Sequence, residues 1–212
     1  MRRREEGFTL IEILVVITII AALVGMVTLI IPKGQEAKNL LTCQNNLRQV
    51  GALLSTMQAG QGFKWYNGAA FLLQVFDQVS DDDLKVFTCP SEQSPDPTKP
   101  EPGSAEFTAM YRKDMSLKDN KVEDKMCSYA GPNWKDFPNN PTSTETRLWG
   151  CDKCKGNVPH HKDGLAVLFA NSGKVETIKF KDLVGHTEAG QVIVGPNSPD
   201  KRLEAMTFYP AQ

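Results

Sequence analysis

No residue between Ile13 and Ile31 is charged. A helix from Phe8 to Ile31, rising about 1.5 Å per residue, would be roughly 36 Å long and would span a bilayer. Further along, the pattern changes. Leu40, Cys43, Leu47, Val50, Leu54 and Met57 recur at spacings of three and four, while Asn39, Gln44, Asn45, Arg48, Gln49, Ser55 and Gln58 fill the gaps. This is an amphipathic helix, expected over 32–59. The stripe lasts for less than about three heptads, short for an intermolecular coiled coil, so packing on a sheet is the expected use. Pro32 and Gly34 stand between the two patterns. Proline removes a backbone donor and clashes with the preceding turn, which predicts a kink or local melting there.

Beyond the helix, residues 60–212 read as one head domain. The aromatic residues Phe63, Trp65 and Tyr66 suggest a loop tucked on the core, and Ala69 to Val79 a short buried helix. Asp81, Asp82 and Asp83 are adjacent and lack the alternating ligand spacing of a calcium loop, so they read as a solvated cap or turn. Prolines at 90, 95, 97, 100 and 102 exclude regular structure up to Gly103. Leu165 to Ala170 is a continuous apolar run suited to a buried strand. Asn171, Ser172 and Gly173 offer a turn, with a bulge expected there, and Lys174 to Phe180 a return strand. Gln191 to Val194 is a candidate edge strand, and the tail from Pro196 reads as surface-bound and irregular.

Charge adds direction. Arg2, Arg3 and Arg4 precede the apolar run, so residues 1–7 stay cytoplasmic and the head is translocated. Glu12 lies inside the run, where an ionised carboxylate near the bilayer centre costs about 2.5 to 3.5 kcal/mol. It needs a partner, or a place at a wetted helix start. The stretch Gly7, Phe8, Thr9, Leu10, Ile11, Glu12 resembles the class III signal of type IV prepilins and type II secretion pseudopilins. In that family a membrane peptidase cuts after the glycine and methylates the new amine. The resemblance implies processing at Gly7 and Phe8, with Glu12 neutralising the amine of a neighbouring subunit during assembly.

Shorter elements narrow the likeness. Cys43 to Gly51, CQNNLRQVG, resembles a segment of a pilin-like group known from planctomycetes and relatives, which ends in an H-x9-DG signature. Val86 to Ser91 resembles that group's F-x-CPS element, and Cys127 to Asn133 its Ser-Tyr element with a downstream asparagine. His161 followed by Asn171, Ser172 and Gly173 resembles the signature itself, with asparagine for aspartate and one residue inserted. The fold this implies is α+β: a long N-terminal helix, transmembrane over 8–31, packed on a small antiparallel sheet with long loops.

Formal net charge is −1, which gives no electrostatic reason to expect nucleic acid. Five cysteines in a translocated chain point to oxidation, with an odd one left over. The disulfide candidates are Cys43, Cys89, Cys127, Cys151 and Cys154, with Cys151 to Cys154 and Cys89 to Cys43 or Cys127 as pairings. Cys151, Cys154, His160 and His161 offer two thiolates and two imidazoles, a possible zinc set, although adjacent histidines seldom converge on one metal. A redox C-x-x-C lacks its strand-to-helix setting, and Lys155 excludes covalent haem. His161 competes as a histidine hydrogen-bonded to the hairpin.

No nucleophile elbow, P-loop or paired carboxylates mark the chain as an enzyme. The resemblance implies a structural subunit of a type IV pilus-like or pseudopilus filament in the bacterial inner membrane, single-pass with its head outside the cytoplasm, and periplasmic or at the surface after assembly. Its implied partners are prepilin peptidase, self or related subunits, and an assembly platform with its ATPase. The alternative is a membrane-anchored binding domain, with zinc as its candidate ligand, that does not polymerise.

Overall fold

The computed structural model describes residues 9–60, 62–91, 104–106, 108–109, 127–134, 147–152, 154–155, 158–159, 161, 164–170, 173–185, 194–195 and 197–207, with the side chains of 27–33, 154–155 and 158–159 excepted. Helix α1 runs from Leu10 to Ala59, 50 residues, through Pro32 and Gly34 without a break. The local melting expected at that point does not occur. A proline deletes one hydrogen bond from a ladder that long helical stretches propagate from both sides.

Two compact units divide the chain, 1–38 and 39–212. In the first, every side chain from Thr9 to Met26 is exposed, among them Leu10 at 84%, Ile17 at 55% and Leu23 at 58%. Among the described residues no helix is long and apolar enough to cross a membrane, and the side chains that would continue the run, 27–33, lie outside that set.

The second unit begins with the amphipathic part of α1. Cys43, Leu47, Val50 and Leu54 are fully buried, and Leu40 and Met57 pack partly against the same cluster, as the three-and-four spacing requires. That stripe lies on an antiparallel sheet. Its strands are β1 (Tyr129–Pro132), β2 (Leu148–Asp152), β5 (Gly164–Phe169), β6 (Val175–Lys179) and β7 (Met206–Thr207), in the order β6-β5-β2-β1-β7. A separate two-stranded ribbon pairs β3 (Cys154–Lys155) with β4 (Val158–Pro159).

Apolar clusters cover both faces of the sheet. On one face Trp149, Ala166 and Leu168 meet α1 and the short helix α2, Ala69–Leu73, whose five residues are all buried. On the other, Ala130, Leu148, Cys151, Leu165, Val167 and Ile178 meet Phe180, Leu183, Leu203 and Met206. β5 and β6 form the expected hairpin in constant register, from Gly164 opposite Lys179 to Leu168 opposite Val175. Gly173 adopts φ +61° at its turn, a conformation that glycine reaches without strain. Asn171 and Ser172, where the bulge was expected, lie outside the described residues.

Two expectations need correction. The buried helix over Ala69 to Val79 stops at Leu73 and resumes as a 3-10 turn, Phe76–Gln78, because the buried Gln74 amide turns back to the Phe71 carbonyl. Over residues 197–207 the chain is not irregular surface. Asp200 caps a helical turn, Lys201–Glu204, and Leu203, Ala205 and Met206 are buried behind it. β7 is the strand at the β1 edge of the sheet, and of the candidate edge strand Gln191 to Val194 only Val194 lies within the described residues, outside any strand. Asp81, Asp82 and Asp83 are exposed at the start of the 3-10 helix Asp81–Phe87, as a solvated turn should be.

Two substitutions test this packing. A Cβ on Gly131 would stand 2.0 Å from the Gly68 carbonyl oxygen, backbone against backbone. Gly131→Ala is expected to destabilise the head by about 3 kcal/mol in urea unfolding. Asp200 accepts hydrogen bonds from the Arg202 backbone at 3.0 Å and from its guanidinium at 2.9 and 2.7 Å. Burial raises the pKa of this carboxyl, but the Arg202 bonds outweigh burial and hold it below the ordinary value. Its contribution is thus complete above the unfolded pKa of about 3.9 and lost as pH falls through the lower folded value. Asp200→Ala should cost about 1 kcal/mol at neutral pH, with the gap to wild type closing only below about pH 4 in pH-dependent unfolding.

Candidate functional site

Among the described residues, candidate functional side chains gather at two places. At the start of α1, Thr9 and Glu12 form a reciprocal cap. The Thr9 N–H and hydroxyl each donate to Glu12 Oε2 at 2.8 Å, and the Glu12 N–H lies 3.4 Å from Thr9 Oγ1. This T-x-x-E arrangement satisfies donors that a helix start otherwise leaves open. In the single chain the carboxylate is therefore held at a capped helix start. Gly7 and Phe8 lie outside the described residues.

The second place is inside the head. Cys43 comes from the buried stripe of α1, Cys89 from the turn after the Asp81–Phe87 helix, Asp152 from the end of β2, and His161 from the approach to β5. Their donor atoms all lie within 4.8 Å of one another, and all four residues are at least 96% buried. His161 Nε2 is 3.3 Å from Cys89 Sγ and 3.4 Å from Asp152 Oδ2. The Cys43 thiol donates to the Tyr129 hydroxyl at 3.5 Å, and that hydroxyl donates to the Thr88 carbonyl at 3.3 Å. Asn46 Nδ2 donates to the same carbonyl at 3.0 Å, fixing the backbone just before Cys89. Burial first, then Cys89 and Asp152, push the Cys43 thiol well above its ordinary pKa. Burial, then Cys43 and Cys89, do the same to Tyr129.

A β-bulge decides which residue of β2 faces this cluster. Leu148 pairs with Phe169 but Gly150 with Leu168, so β2 spends one extra residue there. Trp149 belongs to the helix-side cluster, and a Cβ on Gly150 would meet Leu47 and Leu72 of the same side. Alternation resumes one step out of phase. Cys151 then turns to the far face with Val167, and Asp152 turns to the helix face beside Tyr129.

His161 thus joins Cys43, Cys89 and Asp152, while Cys151 lies in the opposite cluster. His160 and the side chain of Cys154 lie outside the described residues. Cys43, Cys89, Cys127 and Cys151 all stand as thiols rather than disulfides. Cys127 is buried with the helix-side cluster and its thiol donates to the Tyr129 carbonyl at 3.5 Å. The short elements around Cys43, Cys89, Tyr129 and His161, far apart in the chain, therefore meet at one point. Asp152 was visible only as the residue between two more conspicuous cysteine positions. The bulge that promotes it has no signal in the sequence beyond Gly150.

Residues 2–28 match the prokaryotic N-terminal methylation motif. That match supports a type IV pilin-like protein processed by prepilin peptidase. No curated protein and no solved structure matches the chain.

Asn46→Ala removes the side-chain donor that α1 offers to the Thr88 carbonyl. It should cost about 1 kcal/mol in urea unfolding, with Asn45→Ala, on the exposed side of the helix, close to neutral.

Proposed function

We propose that this chain is a structural subunit of a filament of the type IV pilus or type II secretion pseudopilus kind. The observation that carries the reading is the methylation motif over residues 2–28. In this reading the precursor is inserted in the bacterial inner membrane with Arg2 to Arg4 inside and the head outside. Prepilin peptidase removes residues 1–7 and methylates the amine of Phe8. The platform and ATPase of the assembly system then pack the apolar helix against copies or relatives of itself.

The exposed side chains of α1 support this use. Leu10, Ile13, Leu14, Ile17, Ile20, Val24 and their neighbours offer exposed apolar surface. Each such surface gains roughly 25 cal/mol per Å² when removed from water, whether by lipid or by a neighbouring helix. Glu12 is held by Thr9 in the single chain. On assembly a neighbour's methylated amine replaces neutral donors with a charged one, which favours association where water is scarce. The narrower kinship with the H-x9-DG pilin-like group rests on the short elements around Cys43, Cys89, Tyr129 and His161. No catalytic role is assigned.

Mass spectrometry of the chain from cells that possess the peptidase should find Phe8 first and N-methylated. Glu12→Leu should be cut as efficiently yet be absent from sheared or secretion-linked filaments. Retention of the arginine leader in wild type, or normal incorporation of Glu12→Leu, would contradict the reading.

A further inference from the structure

The buried quartet in the head has the composition and spacing of a metal site. A tetrahedral ion bonded at about 2.3 Å to sulfur and about 2.0 to 2.1 Å to nitrogen or oxygen sets its ligand atoms about 3.3 to 3.8 Å apart. His161 Nε2 stands 3.3 Å from Cys89 Sγ and 3.4 Å from Asp152 Oδ2, and Cys43 Sγ completes a group within 4.8 Å. The donors are mixed: two sulfurs, one imidazole, one carboxylate. We propose that Cys43, Cys89, Asp152 and His161 hold one zinc ion, which closes the head around the carboxyl half of α1.

Zinc fits this set better than the other common ions. Calcium and magnesium take oxygen ligands, and copper(I) favours thiolates and thioethers over a carboxylate, whereas zinc accepts sulfur, nitrogen and oxygen in tetrahedral array. Binding releases the Cys43 and Cys89 thiol protons to water and leaves His161 neutral. Two thiolates, one carboxylate and a divalent ion then sum to one negative charge, the same as in an ordinary three-cysteine, one-histidine zinc site. Tyr129, already in contact with Cys43 Sγ, is placed to turn its hydroxyl proton toward that thiolate.

The role is structural. All four ligands are buried, so no coordination position opens to a substrate. They come from α1, from the turn after the Asp81–Phe87 helix, from β2 and from the approach to β5. One ion would therefore tie together four segments that the chain separates widely. The inference is independent of filament formation, since a monomeric anchored head would use the same staple.

The test uses the full chain in detergent, purified with a tag that lacks histidine. About one zinc per chain is expected by elemental analysis, and cobalt exchanged into the site should show thiolate charge-transfer absorption with the intense visible bands of a tetrahedral ion. Cys43→Ser and Cys89→Ser should each lose the metal, while Cys127→Ser and Cys151→Ser retain it. His161→Cys, which keeps four ligands and so guards against simple misfolding, should retain cobalt with charge-transfer absorption raised by about half. The proposal fails if wild type takes up neither ion, if Cys151→Ser loses the metal, or if Cys43→Ser and Cys89→Ser keep it. It fails equally if peptide mapping of the native chain recovers Cys43 and Cys89 joined as a disulfide.

Discussion

Apolar surface on α1 has to be covered, and the two parts of the helix meet that demand differently. From Cys43 to Leu54 the apolar positions occupy one stripe, and the sheet with α2 covers it completely. From Leu10 to Met26 apolar side chains are exposed on every side. A stripe can be satisfied within one chain. A helix that is hydrophobic all round needs lipid or other helices.

That division also explains why the polar groups are where they are. Glu12 is tolerated because it stands at the first turn, where Thr9 supplies two donors to its carboxylate. In the head, the polar quartet lies on the same face of the sheet as the apolar stripe of α1 and is enclosed by it. Its groups are drawn from α1, a turn, β2 and the approach to β5, so the quartet exists only when helix and sheet are docked. Side-chain ties such as Asn46 to the Thr88 carbonyl and Gln44 to the Thr177 hydroxyl hold the same interface.

Much of this was legible in the sequence because it depends on local period and composition. The stripe from Leu40 to Met57, the hairpin from Leu165 onward and the turn at Gly173 follow from spacing that no distant contact overrides. What was not legible depends on long-range pairing. The strand at Met206 is two residues long and is defined only by β1 beside it. Continuity through Pro32 reflects the helix on both sides rather than the proline itself. The quartet lay hidden for a sharper reason. Cys151 and Asp152 are neighbours, and a bulge at Trp149 and Gly150 decides which of them faces His161. A cysteine–histidine pattern read along the chain favours Cys151, while the pleat of the sheet selects Asp152.

Since coverage of α1 is the constraint on which the rest depends, site-directed spin labelling of its amino half tests it most directly. Single labels at Ile13, Ile17, Ile20 and Val24, in chains reconstituted into lipid bilayers, would be compared for collisions with dissolved oxygen and with a water-soluble nickel chelate. Labels at all four positions should collide freely with oxygen and be shielded from nickel. Access of the chelate to all four would show that water surrounds the helix, and would contradict the account.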